Sequence, residues 1–274
     1  MIAHDSERLK QEVREYWNTH PCGTQFTHLV PGSKEFYDEV ERYRYASQPF
    51  MRRLMGFDRF RGNRLLEIGC GLGTDLLQFA RGGAEVAGVD LTPVSIELVK
   101  TRFAMAGLPV NAQVADAENL PFSDNSFDVV YSFGVLHHTP DTQKAVDEVL
   151  RVLKPGGQII IMLYHRRSIH VWAGGPIHAI GRRKRKDSGS AVEDWVRIYD
   201  GEENPLGKSY TRSEVRHMFR KFRGLTLEFC DPMRRKYPAF VNTINQLLLA
   251  RWFGFWMVIK GYKEATMFDG SVRL

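Results

Sequence analysis

Short apolar runs alternate with longer amphipathic stretches through the middle of the chain, and this pattern predicts its secondary structure. Strands are predicted near residues 64–68, 85–89, 111–115, 127–132 and 157–163. Helices are predicted between them near residues 73–81, 93–106 and 141–153. Apolar strands that alternate with helices form a parallel sheet with helices on both faces. The pattern therefore predicts a doubly wound α/β fold, in which ligands bind at the carboxyl ends of the strands.

Two amphipathic stretches precede this core. Residues 5–18 are predicted to form a helix whose apolar stripe contains Leu9, Val13, Tyr16 and Trp17. A second, aromatic-rich helix is predicted over residues 34–57. Neither stretch contains a cofactor motif. Helix packing alone explains each of their aromatic side chains; a covering role that excludes water is the functional alternative.

The C-terminal part begins with an irregular insertion over residues 165–210 that contains several Gly and Pro breaks. Residues 211–214, Thr-Arg-Ser-Glu, have capping-box spacing and predict a helix that runs to about Phe222. Two strands at 225–230 and 254–260 and an intervening helix at 237–249 complete the predicted elements. The apolar stretch Leu247–Ile259 is interrupted by Arg251 and is shorter than the roughly 20 residues that a membrane span needs.

The turn after the first predicted strand points to a cofactor site. Residues 69–73 read Gly-Cys-Gly-Leu-Gly, and Asp90 ends the next strand 17 residues later. Glycine allows positive φ and close approach of the backbone to a ligand. A dinucleotide site would favour G-x-G-x-x-G, and Glu67 would repel its pyrophosphate. The same carboxylate would attract the cationic amino group of a methionine moiety, and Asp90 could accept hydrogen bonds from ribose hydroxyls. The simpler alternative is a glycine turn that binds no ligand.

Three later segments strengthen the cofactor interpretation. They are residues 113–122, 126–138 and 149–161, which include Ala-Asp-Ala, Ser-Phe-Gly-Val-Leu-His-His and a Leu-Lys-Pro-Gly-Gly turn. In order and spacing, residues 64–165 resemble the class I S-adenosylmethionine (SAM)-dependent methyltransferases of the ubiquinone/menaquinone-biosynthesis type. The resemblance implies a Rossmann-like, seven-stranded sheet with an antiparallel edge hairpin, and SAM as cofactor with S-adenosylhomocysteine as product. By position, the residues that line the cofactor are Glu67, Gly69, Gly71, Asp90, Leu91, Asp116, Ala117 and Phe133.

The resemblance also implies how the chain is divided. The expected parts are a helical lid at 1–60, a SAM-binding core at 61–164, a basic cap at 165–223 and edge strands at 224–274. In the family, N-terminal helices lie over the cofactor and the acceptor, so Arg44 and Tyr45 are expected to reach the cofactor's carboxylate.

Candidate acceptor residues follow strands four and five. His137, His138 and His165 are candidate general bases because histidine titrates near neutral pH. Adjacent side chains diverge, so at most one of the first two is expected to face an acceptor, and a base is needed only for an acceptor of high pKa. No metal is expected, since only Asp141 supplies an acid after strand four. A planar or hydrophobic small molecule is suggested by the aromatic residues Tyr16, Trp17, Tyr37, Tyr43, Tyr164, Trp172, Trp195 and Tyr199.

Charge is unevenly distributed and leaves a second functional class open. Residues 1–160 carry 17 basic and 21 acidic side chains, whereas residues 161–274 carry 21 and 11. The densest basic run, Arg182–Lys186, predicts either a solvated loop or attraction to RNA, an anionic membrane or an anionic substrate. The alternatives to a methyltransferase are therefore a basic RNA- or membrane-associated protein that keeps the SAM fold, with or without catalysis, and an NAD-dependent oxidoreductase.

Two further features of the sequence bear on the substrate and on the cellular location. Ser-Phe-Gly-Val at residues 132–135 stands where adenine-N6 methyltransferases place Asn/Asp-Pro-Pro-Tyr, so no specific nucleic-acid substrate is expected. The first residues lack an apolar signal segment, and the three cysteines form no C-x-x-C pair. We therefore expect a cytoplasmic enzyme, with the acceptor atom and the oligomeric state left open.

Overall fold

A seven-stranded sheet forms the centre of the computed structural model, which describes residues 2–172, 191–231, 244 and 248–265. The strand order is β3-β2-β1-β4-β5-β7-β6, with β1 to β5 parallel and β7 antiparallel to both β5 and β6. This confirms the predicted Rossmann-like fold and its antiparallel edge hairpin. The strands are β1 (Arg64–Ile68), β2 (Glu85–Asp90), β3 (Asn111–Val114), β4 (Phe127–Phe133), β5 (Leu153–Tyr164), β6 (Phe222–Cys230) and β7 (Trp256–Lys263).

Helices cover both faces of the sheet because successive strand residues point to opposite sides. Leu65 and Tyr131 pack with α3, α4 and α5 on one face, whereas Leu66 and Val130 pack with α6 and α8 on the other. The helices are α1 (Ile2–Thr19), α2 (Lys34–Ser47), α3 (Met51–Met55), α4 (Thr74–Arg81), α5 (Pro93–Ala106), α6 (Thr142–Val152), α7 (Ala191–Arg197), α8 (Arg212–Met218) and α9 (Ala250–Phe253).

Two predicted helices have different bounds in the structure. The stretch 34–57 forms two helices, α2 and α3, because Pro49 excludes the helical conformation from the residue before it. Gln48 accordingly has φ −130° and ψ 62°. The helix predicted to run from 211 to Phe222 ends at Met218, and Phe222 instead opens β6, where its buried ring packs against Phe219.

The start of α8 carries the capping box that the sequence predicts. Thr211 Oγ1 accepts from the Glu214 amide at 3.3 Å, and Glu214 accepts from the Thr211 amide at 2.7 Å. Thr211→Ala is therefore expected to lower the free energy of unfolding by about 1 kcal/mol, the usual contribution of an N-cap side chain. Urea unfolding would measure the change. Ser213→Ala, an exposed position in the same turn, is the control, and equal losses from both would contradict this role for Thr211.

The second N-terminal helix, α2, is fixed to the core by a small apolar cluster and by ion pairs. The cluster is formed by Phe36, Tyr37, Val40 and Leu72. Glu41 on α2 accepts from Arg102 of α5 at 2.7 Å and from Arg81 of α4 at 3.0 Å. The turn that follows β1 is thus bordered by a firmly attached α2.

Several predictions concern residues outside the described ranges. These are the basic run Arg182–Lys186 and most of the helix predicted over 237–249. Within the described ranges, no helix combines the length and apolarity that crossing a membrane requires.

Candidate active site

The glycine turn between β1 and α4 leaves open space beside it. Gly69, Gly71 and Gly73 have φ of 74°, 51° and 68°, a region that side chains with a Cβ rarely adopt. A Cβ at Gly69 would lie 2.2 Å from Val135, so this glycine is required by the loop after β4. A Cβ at Gly71 would meet no atom within 4 Å. Gly71 therefore lies next to an open space that a ligand could occupy.

Asp90 joins the end of β2 to this turn. One carboxylate oxygen accepts from the Gly71 amide at 2.9 Å, and the other accepts from the Thr92 amide and hydroxyl at 3.0 and 2.8 Å. Burial raises the pKa of Asp90, and these donors oppose that rise. The side chain thus fixes the turn while its remaining lone pairs stay available to hydroxyl donors.

Glu67 is a buried carboxyl group near the end of β1, two residues before the glycine turn. Its side chain is 4% exposed, and its Oε2 has no hydrogen-bond partner in the described part of the chain. Burial, followed by the nearby Asp75 carboxylate, raises the pKa of Glu67 well above its ordinary value. An ammonium group placed beside Oε2 would stabilise the buried negative charge and offset its repulsion by Asp75.

Asp75, in the first turn of α4, is a site residue that the sequence analysis missed. Its buried carboxylate accepts from Tyr45 at 2.9 Å and from Tyr131 at 2.6 Å, and it pairs bidentately with Arg44, whose Nε lies at 2.8 Å. Arg44 and Tyr45, predicted to reach the cofactor's carboxylate, are therefore held on Asp75 in this structure. An acidic residue in the first turn of a helix is common, because it interacts favourably with the helix dipole. The position of Asp75 in the sequence therefore did not mark it as a site residue.

Asp116, at the end of β3, lies against the lid. Lys10 of α1 binds its Oδ2 at 2.6 Å, and the Glu118 amide donates to its Oδ1 at 2.9 Å. A cavity of about 240 Å³ opens here. It is lined by Glu7, Lys10, Gln11, Arg14, Leu91, Val114, Ala115 and Asp116. Asp116 and Leu91, both predicted to line the cofactor, thus face a common space between α1 and the ends of β2 and β3.

The two remaining predicted cofactor residues differ in their surroundings. Phe133 ends β4 with the Arg44 guanidinium 5.2 Å above its ring and Trp256 edge-on at 5.3 Å. It therefore lies at the cofactor end of the sheet, next to the network around Asp75. Ala117 is buried in the core beneath the sheet, with the side chains that pack against α6.

A second polar cluster follows β4 and β5. His138 places Nε2 3.2 Å from Asp200 and directs Nδ1 to the Leu206 carbonyl. Asp200 also accepts from the Tyr164 hydroxyl at 2.8 and 2.9 Å. His137 is fully buried, its ring centroid 3.9 Å from that of Tyr164. Burial lowers the pKa of His137 well below its ordinary value. Asp200 comes from the irregular insertion, where the sequence gave no reason to single it out.

His165, the third candidate base, faces a different environment. It is 1% exposed, packs against Phe229 and donates from Nδ1 to the Gly254 carbonyl at 3.1 Å. Burial lowers its pKa to about 4. The structure therefore places it against β6 and β7, apart from the cluster of His138 and Asp200.

Two of the predicted acceptor aromatics meet that cluster. The Tyr16 hydroxyl donates to the Asp200 carbonyl at 2.9 Å, and the Trp17 ring lies edge-on to His138 at 5.5 Å. Tyr164 contacts both histidines. Helix α1 thus lies against the residues that follow β4 through two aromatic side chains of its predicted apolar stripe.

The other predicted aromatics lie elsewhere. Tyr37 is buried between α2 and α5 and donates to the Leu98 carbonyl at 2.7 Å, so it attaches the lid. Trp195 donates to the His170 carbonyl at 2.9 Å within the insertion. Tyr43 stacks on Phe26 at 4.1 Å, Tyr199 packs on Phe255 at 4.8 Å, and Trp172 is 78% exposed.

Cys22, in the loop after α1, lies between the two ends of the site. Burial, followed by the Asp200 carboxylate, raises the pKa of its thiol to about 11, and the Asp90 and Asp75 carboxylates contribute. The loop that carries Cys22 is thus within electrostatic reach of both the glycine turn and the His138 cluster.

Comparisons with known proteins match the chain to methyltransferases. The family model described as a methyltransferase domain matches residues 66–161. A sterol 4-C-methyltransferase of Caenorhabditis elegans is 39% identical over 98 residues, 35% of this chain and 29% of that protein. A demethylmenaquinone methyltransferase of Clavibacter sepedonicus is 43% identical over 101 residues, 36% of this chain and 40% of that protein. The chain thus spans well under half of these two relatives in its matches.

Similarity in structure extends further than similarity in sequence. A SAM-dependent methyltransferase of Thermotoga maritima, described as a possible histamine N-methyltransferase, has a TM-score of 0.57 and 19% identity. The match covers 93% of this chain and 100% of that one. At this identity, the comparison shows the shared fold.

Residues 66–161 therefore form a methyltransferase domain, on a sheet that is shared with a SAM-dependent methyltransferase. The family match and this structural neighbour support SAM as its cofactor. The resemblance seen in the sequence is confirmed.

Proposed function

We propose that this protein transfers the methyl group of SAM to a small, planar or hydrophobic organic acceptor. The buried Glu67 carboxylate with an unpaired oxygen, beside the open space at Gly71, carries this proposal. An unpaired buried carboxylate is costly unless a cation compensates it. The amino group of SAM is such a cation.

The other residues around the turn fit the same cofactor. Asp90 would hold the ribose hydroxyls, and Asp116 and Leu91 would border the adenine in the cavity under α1. Arg44, held on Asp75 and adjacent to Phe133, would lie near the cofactor's carboxylate. When bound, SAM supplies an activated methyl group, so the protein's main task is to orient the acceptor and exclude water.

The acceptor would enter the region between Cys22 and the cluster of His138, Asp200 and Tyr164. Trp17 and Tyr16 cover this region from α1, which suits a flat or apolar molecule. Relatives named for a sterol and for demethylmenaquinone support this acceptor class. Holding the acceptor in line supplies about 7–11 kcal/mol without a general base. His165 would have a structural role, because it packs away from this region.

Cofactor binding is the first experiment. Calorimetric titration is expected to show micromolar binding of SAM and S-adenosylhomocysteine and none of NADH. Asp90→Ala should weaken SAM binding on the order of 100-fold, because each hydrogen bond to a charged group contributes about 1.5–3 kcal/mol. Asp128→Ala is the matched control: Asp128 also accepts a backbone amide, from Arg64, but lies at the opposite end of β4.

Circular dichroism of both variants would confirm that they are folded. If folded Asp90→Ala bound SAM with wild-type affinity, the proposed site would be refuted. Binding of NADH to the wild type, lost in Asp90→Ala, would show a dinucleotide at the same turn and would also refute it. Confirmed binding leads to an acceptor screen with methyl-labelled SAM, using quinols, sterols and phenols. Transfer to none of these classes would contradict the proposed acceptor while leaving the cofactor site intact.

A further inference from the structure

A buried group of two histidines and one carboxylate lies where the end of β4 meets the insertion. One ligand atom from each of His137, His138 and Asp200 lies within 4.8 Å of the other two. Both ring nitrogens of His137 are buried and have no hydrogen-bond partner among the residues that the structure describes. Each unpaired buried polar atom costs about 1–3 kcal/mol, so their burial here calls for a binding partner.

We propose that His137, His138 and Asp200 bind one divalent transition-metal cation of the Zn²⁺ type. Two imidazoles and a carboxylate suit zinc, iron, cobalt and nickel and are poor ligands for Mg²⁺ or Ca²⁺. Three protein ligands leave one coordination position open. The Asp200 side chain is 18% exposed, so an oxygen atom of water or of a bound molecule would be able to reach that position and complete the site.

The orientation of His138 is the one that a metal ligand needs. Its Nδ1 is directed to the Leu206 carbonyl, which fixes the proton there and leaves Nε2 to face Asp200. A carbonyl behind a histidine ligand is the usual outer-shell arrangement in metal sites. Tyr164 donates to Asp200 and orients the carboxylate in the same way.

Distances within the group are compatible with one ion. At metal–ligand bonds of about 2.0–2.1 Å, two ligands of a tetrahedral site are about 3.3 Å apart. His138 Nε2 and Asp200 Oδ2 already lie 3.2 Å apart. Since one ligand atom of each residue lies within 4.8 Å of the other two, bringing His137 to this spacing needs a shift on the order of 1–2 Å.

A proton is the simplest rival to a metal. A proton on His138 Nε2 would also account for its contact with Asp200, as an ordinary ion pair. It would leave both nitrogens of His137 unpaired, whereas a cation uses one of them. The spacing of residues along the chain does not reveal the site, because Asp200 follows His138 by 62 residues.

Metal binding is measurable without knowing the acceptor. The full-length protein, treated with a chelator and dialysed, would be titrated with Zn²⁺ by calorimetry and with Co²⁺ by visible absorption. We expect one equivalent to bind with micromolar affinity or better, and Co²⁺ to show the absorption of a low-coordinate nitrogen and oxygen site. Asp200→Asn and His138→Gln should each weaken binding beyond the roughly 10- to 100-fold cost of losing an outer-shell contact.

Asp200→Asn retains the size of the side chain and an oxygen for Tyr164, so it should stay folded, which circular dichroism would check. His217→Ala, an exposed histidine on α8, is the control for surface binding. Absence of saturable binding near one equivalent would overturn the proposal. So would wild-type affinity in folded Asp200→Asn, because the bound metal would then lie elsewhere.

Discussion

Replacing Glu67 by glutamine is expected to make the protein more stable and its SAM binding weaker at the same time. Glutamine preserves the shape of the side chain but removes the charge that burial and Asp75 disfavour. The same charge is the partner proposed for the cofactor's amino group. Losing one member of a buried charge pair costs about 2–5 kcal/mol, so affinity should fall on the order of 30-fold or more.

The pH dependence of the free energy of unfolding should show whether the gain in stability of Glu67→Gln comes from removing the buried charge. The pKa of Glu67 is raised in the folded state above its ordinary value of 4.5, so the folded protein retains a proton that the unfolded chain loses. Stability from Glu67 is then complete below about pH 4.5 and falls as pH rises toward the folded-state pKa. The advantage of Glu67→Gln over wild type should therefore grow with pH above 4.5.

Urea unfolding at several pH values and SAM calorimetry would measure both effects. Glu85→Gln is the matched control, because it makes the same change at an exposed position on the neighbouring strand β2. Lower stability in Glu67→Gln, or unchanged SAM affinity, would show that Glu67 is paired within the protein and does not receive the cofactor.

Glu41→Ala is expected to cause the largest loss of stability. The Glu41 carboxylate pairs with Arg102, which is 3% exposed and whose pKa burial lowers. Removing the acid leaves that guanidinium buried beside Tyr37 and the Thr74 hydroxyl. Breaking a fully buried pair costs about 3–5 kcal/mol, and a fifth of the Glu41 side chain is exposed, so we expect about 2–4 kcal/mol.

The control for this variant is Glu97→Ala. Glu97 pairs with Lys100 at 3.0 Å, but both side chains are more than half exposed, so the loss should stay below about 1 kcal/mol. Urea unfolding at neutral pH would compare the two. Similar losses would mean that α2 is held mainly by Phe36 and its apolar neighbours rather than by the ion pairs.

The strands and the cofactor end of the sheet could be predicted because their signals are local. Apolar runs mark β1 to β5, and the glycines and acids that follow them sit at the strand ends by the geometry of the fold. The break between α2 and α3 also had a local signal in Pro49, which helical periodicity alone concealed. These features need no knowledge of distant contacts.

The acceptor end could be predicted only in part because it depends on contacts between distant segments. His138 was identified by its place after β4, but its partner Asp200 lies in an insertion without periodicity. Asp75 resembles an ordinary first-turn acid until Arg44 and Tyr131 are seen to converge on it. Tyr37 and Tyr16 both belong to aromatic helical stretches, and only packing shows that one fixes the lid and the other covers the site.

Helix α1 contacts both ends of the site within two turns. Lys10 holds Asp116, and Tyr16, six residues later, holds the backbone of Asp200. Because a helix moves as a rigid rod over this length, neither contact breaks without straining the other. Under the proposed function, cofactor and acceptor would therefore share one exit. A molecule bound at the acceptor end and packed against Trp17 should slow dissociation of the cofactor, and detachment of α1 would set the upper limit on turnover.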